Sequence, residues 1–576
     1  MLQPRGRLGG TFGNAAYLAS YLGMTSFITF AIAKDYFSWF RKAIYSSGIL
    51  QIIVIFLTAT RGTILAFLVV GFLALIYFSF NKKESKLKVY LRGILILSIM
   101  FASLFFVFRE QLKESSFEPV RRIASISLTE GTVANRLFVW QAVLGEANKK
   151  PFSGYGAEQV GTLFNKNYDP SLVSEQWFDR SHNVFLDYFA QYGIFGLLLY
   201  LLIILTLLKT SWKAWQSGDE KGLYILGLTL VYSIQNFFVF DTAITLWLLF
   251  VLTASSLSIS REDILPISLK NPQPVVGLIS ALVITSLVLP IIILPIRANL
   301  LLMKGYLDHM VDVPKSVSDM EKGLSLNTYA DLEYGYQAYV MYTERQAHEL
   351  VGEDRIKAYN YSYNLLKENF EKYPDSVRTA TYLAHVIDLA PPEVERDNRI
   401  FNQVLSKAFG LSEKRTQLWL LRANIFLREA DKLTGQEKID AYIKSAGVVE
   451  EYTKLVPKNA ESRYILANLY LKNIEDKQTA KMWAEEGFGL YKGKGETSNR
   501  AFQYYIAIED WEKSLIFLKD MVEDNKQDYA LKYDLAKLYY LTGNQEKSVE
   551  LFDQVQKEKP EILQTDPNFL QTIQGL

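Results

Sequence analysis

The sequence predicts an all-α protein, a multi-span transmembrane helix bundle followed by a soluble superhelix of helical repeats. Three observations carry that prediction. Residues up to Arg297 hold a succession of apolar runs of roughly 20 residues, the length a helix needs to cross a hydrocarbon core. From Ala298 onward the chain is charged and rich in Tyr, Lys and Glu, with no run of span length. Within that second half, small and apolar residues recur 34 positions apart: Ser514 and Leu518 stand 34 residues before Ser548 and Phe552, and Ala480 stands 34 before Ser514. The expected domains are therefore 1–297 in the membrane and 298–576 outside it. A net charge of +1 over 576 residues lacks the basic excess of a nucleic-acid footprint, so no nucleic-acid partner is expected. The chain has no cysteine, which excludes disulfides, thiolate metal sites and cysteine nucleophiles.

The apolar runs lie at about 15–33, 43–59, 62–80, 90–108, 184–208, 222–239, 242–259 and 275–296, eight in all. The first reads as a plain span, because it is long and lacks a convincing small-residue cleavage site. The second and third meet at Thr60-Arg61, a tight hairpin with a charge at its tip, since one continuous helix would be too long for a single crossing. Lysine and arginine gather in alternate loops, at Lys34 to Lys42, Lys82 to Lys88, Lys209 to Lys221 and Arg261 to Lys270, which marks those loops as cytoplasmic. Only Arg5 and Arg7, ahead of the first run, oppose the alternation. By parity the 109–183 loop and everything after Arg297 lie on the outer side of the plasma (inner) membrane.

That outer loop holds nine basic and nine acidic side chains, so it is polar without being a basic patch. Val133 to Asn148 has helical spacing, with Leu137, Trp140, Val143 and Leu144 on one face, and Pro151 to Gly156 then breaks it. A loop this long between spans is more often functional than a spacer. Arg7, Arg61, Arg121, Arg122, Arg136 and Arg180 stand near the outer face. Cations at span ends ordinarily reach up to headgroups. Arg61 differs, because a two-residue hairpin leaves it little room to leave the protein and Gly62 beside it admits a backbone or a ligand. Guanidinium forks there suit phosphate oxygens.

His182, at the mouth of the fifth run, is the only histidine before His309. It reads either as an interfacial side chain bonded to a neighbour or as a general base. Asp187, Gln235, Asn236 and Asp241 are the other polar groups at outer membrane depth, where polar side chains default to function. Gln235 and Asn236 equally suit bonds between neighbouring helices.

Five stretches follow one another in order: Arg7 to Asn14; Thr58-Ala59-Thr60-Arg61-Gly62; Asn135 to Trp140; Pro151 to Gly156; and His182-Asn183 followed by Leu186, Gly193 and Gly196. Together they resemble the O-antigen ligase/polymerase superfamily, whose patterns R-x-x-G-T-F-x-N, T-x-S-R-G, R-x-x-x-W, P-x-x-G-x-G and H-N-x-x-L…G-x-x-G they follow over about residues 5–260. The resemblance implies a membrane glycosyltransferase that moves a glycan from an undecaprenyl-diphosphate carrier to an acceptor hydroxyl on a glycan or protein, with no metal and no cofactor. In that role His182 would accept the hydroxyl proton or orient the hydroxyl. Arg7, Arg61, Arg136, Arg121 and Arg122 would bind the diphosphate, whose developing charge needs cations. Two departures stand out. Asn14-Ala15-Ala16 replaces the usual N-P-N, and family members carry further spans ahead of the Arg7 stretch, which implies an N-terminally shortened chain.

In the second half Ala536-Lys537-Leu538-Tyr539 recurs as Ala467-Asn468-Leu469-Tyr470 and Ala423-Asn424-Ile425-Phe426. With Gly543, Ser548, Phe552 and Pro560 the last unit resembles a tetratricopeptide repeat. Stacked helix pairs of that kind form a concave face, expected to take a protein or glycan partner; a structural cap over the loop is the plainer role. His309, His348 and His385 are isolated and expected to be packing or surface residues. The competing reading for the whole chain is a non-catalytic membrane scaffold that recruits envelope proteins through its repeats. A transporter is disfavoured, because paired broken helices and midplane charges are not evident.

Overall fold

A computed structural model describes residues 7–81, 86–126, 131–173, 175–259, 274–309, 311–343, 350–491, 496–566, 569–570 and 573; Arg5, Lys82, Lys83, Arg261, Lys270 and His348 lie outside them. The described residues are helical, with no sheet among them, and fall into two compact units. One comprises residues 1–164 and 178–268, the other 165–177 and 269–576.

The first unit contains helices α1 (Ala15–Ile32), α2 (Ser38–Leu57), α3 (Arg61–Asn81), α4 (Lys86–Val107), α5 (Arg109–Lys113), α6 (Glu118–Ala124), α7 (Gly131–Ala147), α8 (Val160–Lys166), α9 (Val184–Gln216), α10 (Glu220–Gln235) and α11 (Ala243–Ile259). Among the described residues of the whole chain six helical stretches are long and apolar enough to cross a membrane: Ala15–Asp35, Ser38–Leu57, Arg61–Phe80, Leu87–Val107, Val184–Gln216 and Val275–Asp308. The chain is a membrane protein. Its outward apolar side chains fit that solvent: Phe101 and Phe106 on α4 are each 72% exposed, as a lipid-facing helix requires.

Two of the eight expected spans come out shorter. Residues 222–239 and 242–259 correspond to α10 and α11, of 16 and 17 residues, about 24–26 Å at 1.5 Å per residue against a core of about 30 Å. The cause is local. Residues 236–242 turn out of the helix around the Asp241 carboxylate, which accepts hydrogen bonds from Tyr232 Oη (2.6 Å), Tyr200 Oη (3.2 Å) and Asn236 Nδ2 (3.2 Å).

A third departure is a break inside α9. Gly193 has φ 67° and ψ −167°, outside any helix. The break strands the carbonyls of Ala190 and Gln191 and the amide of Ile194, and buried backbone groups must find partners. The turn at 151–156 supplies them. Tyr155 N donates to Ala190 O (2.9 Å), Gly156 N to Gln191 O (2.9 Å), and Ile194 N to Pro151 O (2.7 Å). The two glycine motifs therefore form one structural device.

In the second unit α12 (Pro274–Val288) runs through a π-turn, Leu289–Ile293, into α13 (Leu294–Asp308). The expected domain boundary at Arg297 lies inside α13, because the last apolar stretch continues as one helical rod whose far end packs on the next helix, α14 (Val313–Leu324). Helix pairs follow: α15 (Asp331–Thr343) and α16 (Gly352–Lys372), α17 (Val377–Asp388) and α18 (Asn398–Leu411), α19 (Thr416–Ala430) and α20 (Gly435–Leu455), α21 (Ala460–Leu469) and α22 (Lys477–Leu490), α23 (Glu496–Ala507) and α24 (Trp511–Asp524), α25 (Tyr529–Leu541) and α26 (Gln545–Glu558). Four pairs share a crossing chemistry. A buried serine of the second helix donates to a carbonyl of the first, in Ser316 to Gly305 (2.7 Å), Ser362 to Ala338 (2.7 Å), Ser445 to Ala423 (3.1 Å) and Ser548 to Ala536 (2.8 Å). Small residues at those crossings let the backbones approach. His309 and His385 pack against neighbouring rings: His309 is buried and stacked on Tyr306, and His385 is partly buried and bonded through Nδ1 to Tyr339 Oη (2.8 Å).

Candidate active site

The α2–α3 hairpin holds the first group of arginines. Ala59 turns the chain with φ 51°, and the Thr58 and Thr60 hydroxyls lie 3.0 Å apart beneath it. Arg7 clasps this turn, its Nε donating to Thr58 O (3.1 Å) and its Nη2 to Thr60 Oγ1 (3.0 Å). The Thr60 hydroxyl also donates to Ala15 O (3.2 Å), so the turn is tied to the start of α1. There Asn14 caps the helix through Ala16 N (2.8 Å) although alanine stands where the family has proline. Arg61 opens α3 and donates from Nη2 to Ser125 Oγ (2.9 Å), just past α6. A Cβ at Gly62 would lie 3.4 Å from Phe238, so this glycine fits its neighbour closely rather than opening a path.

Arg121 and Arg122 share one partner on α6. Arg121 is ion-paired with Glu118, and Arg122 lies 4.0 Å from the same carboxylate. One carboxylate is thus shared by two guanidinium groups, which leaves the trio with a net positive charge.

His182 sits where the loop enters α9. Ser181 N donates to Asp187 Oδ1 (2.9 Å), Trp140 Nε1 to Ser181 O (2.9 Å), and Asn183 Oδ1 caps α9 by accepting from Phe185 N (3.1 Å) and Leu186 N (3.2 Å). The residues on both sides of His182 are thus fixed, and His182 itself takes φ 56°, a left-handed conformation uncommon for a residue with a Cβ. Its ring stands edge-on to Phe178 (5.9 Å between centroids) and tilted against Phe240 (5.4 Å). Burial among these rings, with the Arg136 charge adding to it, pulls the imidazole pKa down to about 4. The ring is neutral at physiological pH and able to accept a proton.

The 236–242 turn links the two groups. Phe238 packs on Gly62 beside Arg61, Phe240 packs on His182, and Asn236 O accepts from Val184 N (2.9 Å). The structure therefore joins the hairpin that carries Arg7 and Arg61 to His182 through Phe238 and Phe240, with the Arg136 charge acting on His182. Gln235 bonds Ser20 Oγ (2.5 Å), the interhelical role open to it from the sequence. Arg180 also belongs here, although it is not among the diphosphate-binding arginines expected above. It is ion-paired with Glu158, donates to Gln191 Oε1 (3.2 Å) and lies over the Phe240 ring. Its position directly before Ser181-His182 was the available signal. Among the described residues no group of three His, Asp or Glu side chains stands close enough to hold a metal ion.

A match to known proteins decides what this hairpin, turn and histidine belong to: the model of the O-antigen ligase family matches residues 47–201. Residues 47–201 are thus similar to an O-antigen ligase domain. The domain includes the Arg61 hairpin, the Trp140 helix, the 151–156 turn, His182 and Gly193, while the Arg7 stretch lies ahead of the matched segment. The chain is also 30% identical over 131 residues to the ComP-specific O-oligosaccharyltransferase of Acinetobacter baylyi, a similarity covering 21% of this chain and 22% of that relative. The match thus spans about a fifth of the relative's length.

Proposed function

We infer that the protein transfers a glycan from an undecaprenyl-diphosphate carrier to an acceptor hydroxyl on the outer face of the plasma membrane. The observation that carries this reading is a neutral, ring-packed His182 acting beside Arg136 within an O-antigen ligase domain. The acceptor oxygen attacks the anomeric carbon and the bond from that carbon to the diphosphate breaks. The lipid diphosphate leaves with the electron pair. The hydroxyl proton passes to His182 as the new bond forms. Arg7, Arg61 and Arg136 hold the diphosphate oxygens and stabilise the charge that develops there, with Arg121 and Arg122 contributing less because Glu118 already engages them. A base held near 4 is weak at rest. Diphosphate bound against Arg136 offsets the second cause of that depression, so the donor itself strengthens the base. The helix pairs of the second unit are tetratricopeptide-like and serve acceptor binding, and the name of the Acinetobacter baylyi relative, specific for one acceptor, accords with a dedicated acceptor site.

The test is transfer from an undecaprenyl-diphosphate glycan by the full chain in proteoliposomes. Arg61→Ala is expected to lower kcat/KM by about 10², and Arg121→Ala by about threefold or less, since it breaks a half-exposed ion pair. Equal losses for the two would remove Arg61 from the donor site. The pH profile is a second check. With His182 required neutral and its pKa near 4, transfer should persist at pH 5, where an ordinary histidine is largely protonated. Arg136→Ala should move that acid limb toward higher pH as well as weaken donor binding. A limb near 6.5 in the wild type would contradict the burial of His182.

A further inference from the structure

Residues 165–177 leave the ligase domain at Phe164 and return to it at Phe178, two rings only 5.1 Å apart. The segment, which begins with the last two residues of α8, is thus a strap closed by a ring contact at its base, and it is grouped with the helix pairs instead of with the domain that it interrupts. Its anchor is Arg415, at the start of α19 and 1% exposed. Nη1 donates to Gln176 O (2.8 Å) and Nη2 to Asn165 Oδ1 (2.7 Å), so one guanidinium bridges both ends of the strap. Its Cζ also lies 3.8 Å from the centre of the Trp177 ring and 4.2 Å from that of the Tyr168 ring. Lys414 beside it pairs with Asp169 (2.9 Å), and Trp177 meets Tyr382 edge-on (5.9 Å). A buried cation is costly unless it is engaged; two aromatic faces and two hydrogen bonds engage this one, and only its Nε is left without a hydrogen-bond partner among the described residues. Burial lowers its pKa only to about 10, so it stays charged.

Trp177 is followed directly by Phe178, the ring that stands edge-on to His182. We propose that Arg415 is a positioning residue for His182: by gripping Trp177 and Gln176 it fixes Phe178, and through Phe178 the imidazole. The helix pairs would then do more than bind an acceptor, because the active-site loop keeps its shape only while they hold it. The catalytic part of this proposal rests on the transfer reading above, whereas the mechanical part does not.

The experiment is made on the full chain in two arms, with Arg415→Ala, Arg415→Lys and Trp177→Ala. In the first arm diethyl pyrocarbonate modification of His182 is followed by mass on its peptide. Arg415→Ala and Trp177→Ala are expected to raise the rate several-fold, and Arg415→Lys, which keeps the charge but loses the fork, should fall between them and the wild type. In the second arm kcat should fall about tenfold or more in the alanine variants while KM for the donor changes little, as removal of an orienting contact predicts. Unchanged His182 reactivity in folded Arg415→Ala overturns the proposal. So does raised reactivity with unchanged kcat, since His182 would then be loosened without consequence. If Arg415→Ala does not fold, Trp177→Ala, which leaves α19 intact, decides by the same two readouts. Wild-type protein that transfers nothing sinks the transferase reading, and the reactivity arm still decides whether Arg415 positions His182.

Discussion

His182→Asn is expected to lower glycan transfer by about 10²–10⁴-fold, the range of a general base, with little change in stability. Asparagine is the informative substitution because of the backbone. His182 sits at φ 56°, a conformation that alanine tolerates poorly and asparagine and glycine tolerate well. His182→Ala would therefore mix lost chemistry with strain, whereas His182→Asn and His182→Gly keep the turn between the Ser181 and Asn183 anchors. All three should lose transfer, and only the alanine variant should also lower the melting temperature. Phe178→Leu and Phe240→Leu admit water to the ring and should raise its pKa, since burial is the larger cause of the depression. Their acid limbs should move up from about 4 while some activity remains. Transfer by His182→Asn within tenfold of wild type, measured in proteoliposomes at neutral pH, would take the histidine out of the chemistry.

The features legible in the sequence were those set by local composition. Apolar length announced the spans, and the hairpin at Thr60-Arg61 followed from two runs too long to be one crossing. The 34-residue spacing of Ser514 and Ser548 reflects small side chains that are both fully buried in the helix pairs. The features that stayed hidden depend on partners far away in sequence. Asp241 shortens two spans because four side chains from α9, α10, the turn and α11 converge on it, and no window of residues contains that sum. Arg121 and Arg122 looked like two available cations, yet both lie against Glu118 on the same short helix. Here an i,i+3 and i,i+4 pattern was readable and outweighed the count of charges. Arg415 lies nearly 240 residues from the loop it holds. A lone arginine in a charged stretch reads as surface until the strap is seen folded over it.

The break at Gly193 supports the second large expected effect, a loss of the folded state in Gly193→Ala. A Cβ there would lie 2.1 Å from Phe152 O and 2.4 Å from Phe152 C, both backbone atoms that cannot rotate aside. The backbone itself, at φ 67° and ψ −167°, belongs to a region open essentially to glycine alone. Strain and overlap together should cost on the order of 4 kcal/mol or more. Gly154→Ala attacks the same joint from the other side, with a Cβ 2.4 Å from the Gln191 carbonyl. Gly145→Ala on α7 is the control, because open space surrounds it and alanine favours a helix over glycine by up to about 1 kcal/mol. Thermal unfolding in detergent should therefore rank Gly145→Ala at or above wild type and the other two far below it. The consequence reaches the chemistry, since α9 between Val184 and Tyr192 carries Asp187, the carboxylate that holds Ser181 beside His182. If that joint moves, the imidazole moves with it. A Gly193→Ala protein as stable as wild type would mean that α9 can run straight without the 151–156 turn, and the glycines of both motifs would then have to be explained by something other than this joint.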